Sequence, residues 1–304
     1  MARERLNGLR DRFAAIACAV FAVLGIANTA AARDRPLVWA LQGPTNTVYI
    51  AGSMHLLRSK DSALSDNLSR AYLNAERIVM EVDMDDLDEA AMADWTLKHA
   101  TYAPESHKSL RSALGDARWQ KLNAQTAPAG LPLLAVDMYK PWMVGLTYSL
   151  LQMQKLGLDP KLGVEQQLTN KARRDHKPIT GLETVQQQLL IFDNLPDDLQ
   201  LKFLDQSIEE ATDARQQLEQ ISRAWKSGNE KKLSAELLDE YSRFPELYEA
   251  LVSKRNLAWI PQIKALLHGT DDYLVVVGAL HLVGEGGVIH LLELDGLQPT
   301  RMQH

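Results

Sequence analysis

The chain has 304 residues, with 33 Lys and Arg against 39 Asp and Glu, a formal net charge of −6 and one cysteine. No long basic run follows the first dozen residues, so composition excludes nucleic acid as the main partner. Hydrophobic residues make up 46% of the chain, enough to bury a sizeable core in one large domain or in one domain carrying an insertion.

Residues 1–32 read as a signal peptide. Arg3, Arg5, Arg10 and Arg12 form a positive start, Phe13 to Ala27 is apolar, and Ala30-Ala31-Ala32 offers the small residues of a cleavage site. The apolar run is shorter than the ~20 residues a bilayer span needs. The expectation is a cleaved chain beginning near Arg33, periplasmic or secreted, with no stable membrane insertion. Four of the 33 basic and two of the 39 acidic residues lie in 1–32, so the remainder carries a net charge of −8. Cys18 lies in the same segment, which leaves residues 33–304 without disulfides, thiolate ligands or a cysteine nucleophile. Any metal must then be held by nitrogen and oxygen, as Zn, Mn, Fe or Co can be.

The fold expected for 33–304 is a single α/β domain. Leu37 to Leu41 and Thr47 to Ala51 are β-rich runs around Gly43-Pro44-Thr45-Asn46, a hairpin signal. Asp61 to Asn74 has helical periodicity, and Arg77 to Val82 reads as a strand. A helical insertion follows over about 84–244, interrupted by the strand-like Lys177 to Glu183. Glu209 to Lys232 reads as a solvated helix pair. A helix over Asn256 to Leu267 then leads to a strand over Tyr273 to Val277, a helix over Gly287 to Leu294 and an edge strand over Gln298 to Met302. Neither end supplies enough strands alone, so one sheet built from both ends, with helices around it, is the economical architecture.

One pattern occurs near both ends. Tyr49-Ile50-Ala51-Gly52-Ser53-Met54-His55-Leu56 and Val275-Val276-Val277-Gly278-Ala279-Leu280-His281-Leu282 are each a buried strand, a Gly, two residues and a His. Glycine lets the chain turn sharply there, and the His stands beyond a strand's carboxyl end, where α/β folds gather active-site groups. Two such imidazoles can converge on a metal or a reacting atom. Gly287 to His290 has the same spacing but opens an apolar helix, so His290 reads as a helix side chain near the core. Glu81 ends an apolar strand, where a carboxylate needs a cation, a metal or several donors unless it is solvated at the sheet's rim. It reads as a metal ligand, a general base or such a rim group.

Glu183 ends another strand and is a further ligand, base or helix-start acid. Arg255 is placed to pair with Glu81, to hold an anion, or to lie on a helix surface. Glu165, after Leu162-Gly163-Val164, reads as the first-turn acid of a helix. Ser53 lacks the surroundings of a serine nucleophile. His99, His107, His176, His268 and His304 read as surface residues, and Asp83, Asp85, Asp86 and Asp88 as a solvated turn lacking the Gly and Glu of a calcium loop.

Together Tyr49 to Leu57, Val79 to Asp83, Gly181-Leu182-Glu183-Thr184 with Gln187, Arg255-Asn256, and Val277 to Gly287 resemble the TraB/GumN family, which includes the Tiki proteins of animals. The resemblance implies a fold related to erythromycin-esterase-like hydrolases. It implies metal-dependent peptidase activity, with Mn or Co, for the animal members. Carried over by position, it marks Gly52/His55, Glu81 and Gly278/His281 as active-site motifs. The expected function is therefore an exported hydrolase of a peptide or protein substrate. Its divalent ion (Mn, Co or Zn) would be held by His55, Glu81 and His281, with Glu81, Glu183 and Arg255 acting in catalysis. The alternatives are a non-catalytic periplasmic module that binds a peptide or signal molecule, and a metal-free esterase-like hydrolase in which His55 is the general base.

Overall fold

A computed structural model describes residues 37–84, 88–209, 214–241 and 245–303. The expected signal peptide, with its cleavage site at Ala32/Arg33, lies outside them, as do Asp85, Asp86 and His304. Among the described residues no helix is long and apolar enough to cross a membrane.

The chain divides into two compact units. One comprises Met84–Leu158 and Val185–Asp213 and is helical. Its core gathers Leu110, Trp119, Leu122, Leu133, Val144, Tyr148, Leu204 and Ile208, all buried. Within it Gly145 lets the Pro141–Lys155 helix meet the Asp197–Glu209 helix closely, since a Cβ there would come within 2.9 Å of the Phe203 ring. Asp88 caps the Glu89–His99 helix, accepting from the N–H groups of Ala90 and Ala91. His99 departs from a plain surface residue: it stacks on Trp95 and pairs with Asp193 at 3.1 Å.

The other unit comprises the described part of Phe21–Asp83 with Asp159–Thr184 and Ala214–His304. It holds a six-stranded mixed sheet: β1 (Val38–Gln42), β2 (Thr47–Ser53), β3 (Arg77–Val82), β4 (Ile179–Glu183), β5 (Tyr273–Gly278) and β6 (Thr300–Arg301). The order is β4-β3-β5-β2-β1-β6. β1 and β2 form the antiparallel hairpin expected from Gly43 to Asn46, and β6 pairs antiparallel with β1 at the edge. β2, β5, β3 and β4 run parallel. The protein is thus α/β, its sheet drawn from both ends of the chain with β4 added from the middle. Central β5 is buried along Leu274–Val277, as a parallel strand covered on both faces must be.

Helices fall close to their expected places. The segment expected as a helix from Asp61 becomes helical only at Asp66, because the Ser65 side chain accepts the N–H of Leu68 and fixes the start. The solvated helix pair expected over Glu209 to Lys232 is displaced: the helices are Ala214–Ser227 and Glu230–Tyr241, and the first has a buried face of Leu218, Ile221 and Ala224. A π-helical turn over Glu249–Ser253 precedes the Lys254–Leu266 helix, which supplies Arg255.

Candidate functional site

Because β2, β3, β4 and β5 are parallel, their carboxyl ends lie along one edge, where ligand sites of α/β sheets form. Gly52 pairs with Val277 and Ser53 with Gly278 on one flank of β5, and Met80 with Val276 on the other. This register brings His55, Glu81 and His281 together although the sequence scatters them. Glu183 joins from β4, one strand further, opposite Val82.

Glu81 is 5% exposed. Its Oε2 accepts from Arg255 Nη2 at 2.6 Å and its Oε1 from the Gly278 N–H at 2.7 Å. Oε1 also lies 3.9 Å from His55 Nε2 and 3.8 Å from His281 Nε2. Burial alone would favour the protonated acid, but Arg255, the two imidazoles and the Gly278 amide overcome it and hold the carboxyl well below its usual range. A solvated rim carboxylate is therefore not what the structure shows.

Arg255 is equally buried. Its Nε donates to both oxygens of Glu183 at 3.0 Å, and Nη1 donates to the Leu251 carbonyl and to His281 Nε2, each at 3.0 Å. One turn along its helix, Trp259 lies under the guanidinium at 4.7 Å and donates Nε1–H to Glu183 Oε1 at 2.6 Å. Burial raises the Glu183 pKa, opposed by Arg255 and by the Trp259 hydrogen bond. Arg255 thus clamps two strand-end carboxylates with its donors turned onto protein partners, rather than lying on a helix surface.

His281 is fully buried in a short 3₁₀ turn, Ala279–Leu282. Its tautomer follows from its neighbours. A guanidinium can only donate, so Nε2 is the acceptor. The Asn256 amide nitrogen donates to the carbonyls of Gly286 and His281, so its oxygen faces Nδ1, which donates at 2.6 Å. Burial, with Arg255 and His55 adding to it against Glu81, pushes the imidazole down to about 3. His281 is a neutral, fixed ring.

His55 is the opposite case. Burial works against its charge, but Glu165 and then Glu81 outweigh it and raise the imidazole to about 9. Glu165 Oε1 stands 2.8 Å from Nδ1 and also accepts the Ser53 hydroxyl. Glu165 is the first-turn acid expected, of the Val164–Asp175 helix, but its partnership with His55 was not legible. The one sequence signal was Gly163: a Cβ there would come within 2.1 Å of the His55 carbonyl oxygen, so only glycine lets the helix start against that turn. The Val164 N–H then donates to the Met54 carbonyl at 3.1 Å.

Gly278 lets the site's side chains approach the β5 backbone closely. A Cβ there would lie 3.2 Å from His55 Nε2 and 3.3 Å from Glu81 Oε1. Gly52 serves packing instead, its missing Cβ facing Leu282, Leu37 and Ala279. His290 takes no part: it is 41% exposed beside Glu293 on its helix, not near the core as expected.

The expected metal set does not form in this arrangement. A ligand imidazole needs a lone pair directed at the ion, and His281 commits Nε2 to Arg255 and Nδ1 to Asn256. His55 Nδ1 faces Glu165. Among the described residues no group of three or more His, Cys, Asp or Glu is placed to hold a metal ion. The donors present do not fit a divalent ion.

The model of the TraB/PrgY/gumN family matches residues 37–301. The chain belongs to this family. It is also 27% identical over 244 residues to "Uncharacterized protein YbaP" of Escherichia coli (strain K12), covering 80% of this chain and 87% of that protein. The protein of the same name from Shigella flexneri matches to the same extent. The site residues all fall within the span that the family model covers.

Proposed function

We propose that this chain is a hydrolase of amide or ester bonds that acts outside the cytoplasm on a peptide or protein, with His55 as its proton-transfer group. The observation that carries this reading is the Glu165–His55 dyad. The Glu165 carboxylate fixes Nδ1, so Nε2 is the nitrogen that faces Glu81 Oε1 and the Gly278 backbone. Such a dyad orients an imidazole as a general base and strengthens it. In its neutral form His55 takes a proton from water as the water adds to the carbonyl carbon. It returns that proton to the leaving nitrogen or oxygen as the tetrahedral intermediate collapses. Glu81 supports the charged ring between these events, and Arg255 holds Glu81 and Glu183 in place.

Substitution tests this directly. Purified protein lacking residues 1–32 is assayed on p-nitrophenyl acetate and on a peptide mixture read by mass spectrometry. Turnover should vanish in His55→Ala and persist in His290→Ala. No turnover above His55→Ala, combined with peptide binding in calorimetry, would point instead to a periplasmic binding module.

A further inference from the structure

Arg255 is the cation that bridges the two strand-end carboxylates. Glu81 and Glu183 bring two carboxyl groups to the ends of neighbouring strands, and burial of a carboxylate without a cation is costly. A divalent ion is one way to compensate them. The structure uses another. Arg255 donates to Glu81 Oε2 from Nη2, to both Glu183 oxygens from Nε, and to His281 Nε2 from Nη1. The last contact takes the lone pair that an imidazole ligand would have offered to an ion. The ring cannot turn to offer its other nitrogen, because Nδ1–H is held by Asn256, whose amide is anchored on the carbonyls of His281 and Gly286. The guanidinium is itself fixed by the Leu251 carbonyl and stacked over Trp259.

We infer that Arg255 is the resident cation of this site, standing where the family resemblance leads one to expect a divalent metal, and that the chain folds and keeps its site without a metal. The inference concerns what neutralises the buried carboxylates, so it stands or falls apart from the hydrolase reading.

The test is metal stoichiometry, with thermal stability as a second readout. Protein lacking residues 1–32 and carrying no His-tag is analysed for bound elements. It is then melted with EDTA and with added Mn, Co or Zn. The wild type should hold no stoichiometric ion, and its Tm should not move in any of these. Arg255→Met removes the charge and the donor on His281 Nε2 while keeping an extended chain. That variant should gain Co(II), visible in its absorption spectrum, and its Tm should rise with the added ion. Arg255→Lys, which keeps a cation, should fold and stay ion-free, which covers the case in which Arg255→Met does not fold. About one equivalent of ion in the wild type, lost in His281→Ala, would overturn the inference. So would a folded Arg255→Met as ion-free as the wild type, or an Arg255→Lys that gains an ion.

Discussion

Glu165 Oε1 faces His55 Nδ1 at 2.8 Å and also accepts the Ser53 hydroxyl, whereas its Oε2 is buried with no hydrogen-bond partner among the described residues. The carboxylate is thus directed almost wholly at one imidazole. Glu165→Gln keeps the shape and removes the charge. The His55 pKa, followed by imidazole ¹⁵N shifts, should fall from about 9 toward its ordinary 6.5. The alkaline rise of activity should move with it. A His55 pKa that stays near 9 would show that Glu165 does not hold the proton.

The two buried histidines should give stability two opposite pH limbs. His55 is raised on folding, so its contribution is complete below 6.5 and is lost as pH climbs through about 9. His281 is lowered to about 3, so the folded state resists a proton the unfolded chain accepts, and stability falls on acidification below 6.5. Glu81, lowered on folding, steepens that fall below about 4.5. Tm measured across this range should peak near pH 6.5, where the two limbs meet. His55→Gln should flatten the alkaline limb and His281→Gln the acid one; loss of the same limb in both would refute the assignment.

Gly278→Ala and Gly52→Ala should separate packing from chemistry. Each new methyl meets its neighbours at 3.2–3.3 Å, so both should cost on the order of 1–3 kcal/mol in urea unfolding. Only at Gly278 are those neighbours His55 Nε2 and Glu81 Oε1. Turnover should therefore drop sharply in Gly278→Ala and survive in Gly52→Ala when both are assayed well below their melting points.

Glu81→Gln removes one partner of a buried ion pair and leaves Arg255 facing a neutral amide. The loss of stability should be about 3–5 kcal/mol, the usual cost of orphaning such a charge. A urea midpoint close to the wild type would mean that Glu183 alone can satisfy the guanidinium.

The strands were legible because apolar runs bounded by turn residues identify buried strands without knowledge of their partners. Arg77–Val82 carries the expected bounds, and β1 and β2 flank the turn that Gly43-Pro44 announces. The paired Gly-x-x-His turns were legible for the same reason, since each directly follows such a run. Glu165 was not. An acid in a first helical turn is already accounted for by the helix dipole, and nothing local tells that its carboxylate reaches another element. Asn256 was hidden likewise, because its role depends on carbonyls of Gly286 and His281 that only the fold brings near. His290 shows the converse: the spacing that marks a site elsewhere here opens a helix and leaves the ring half-exposed.

The position of β5 has a consequence for how the protein is made. It is the strand between β2 and β3, and it is synthesised long after both. Until Tyr273–Gly278 is available, β2 lacks its parallel neighbour, β3 has only β4 beside it, and neither half of the site has its counterpart. The sheet unit must therefore stay open until Tyr273–Gly278 has been made and then close in a long-range step, which is slow because distant segments must find each other. The helical unit, whose segments lie within Met84–Asp213, has no such wait. A chain that cannot finish its sheet early remains extended and accessible to whatever handles unfolded polypeptide, and truncation before residue 273 should yield protein that never reaches a protease-resistant state.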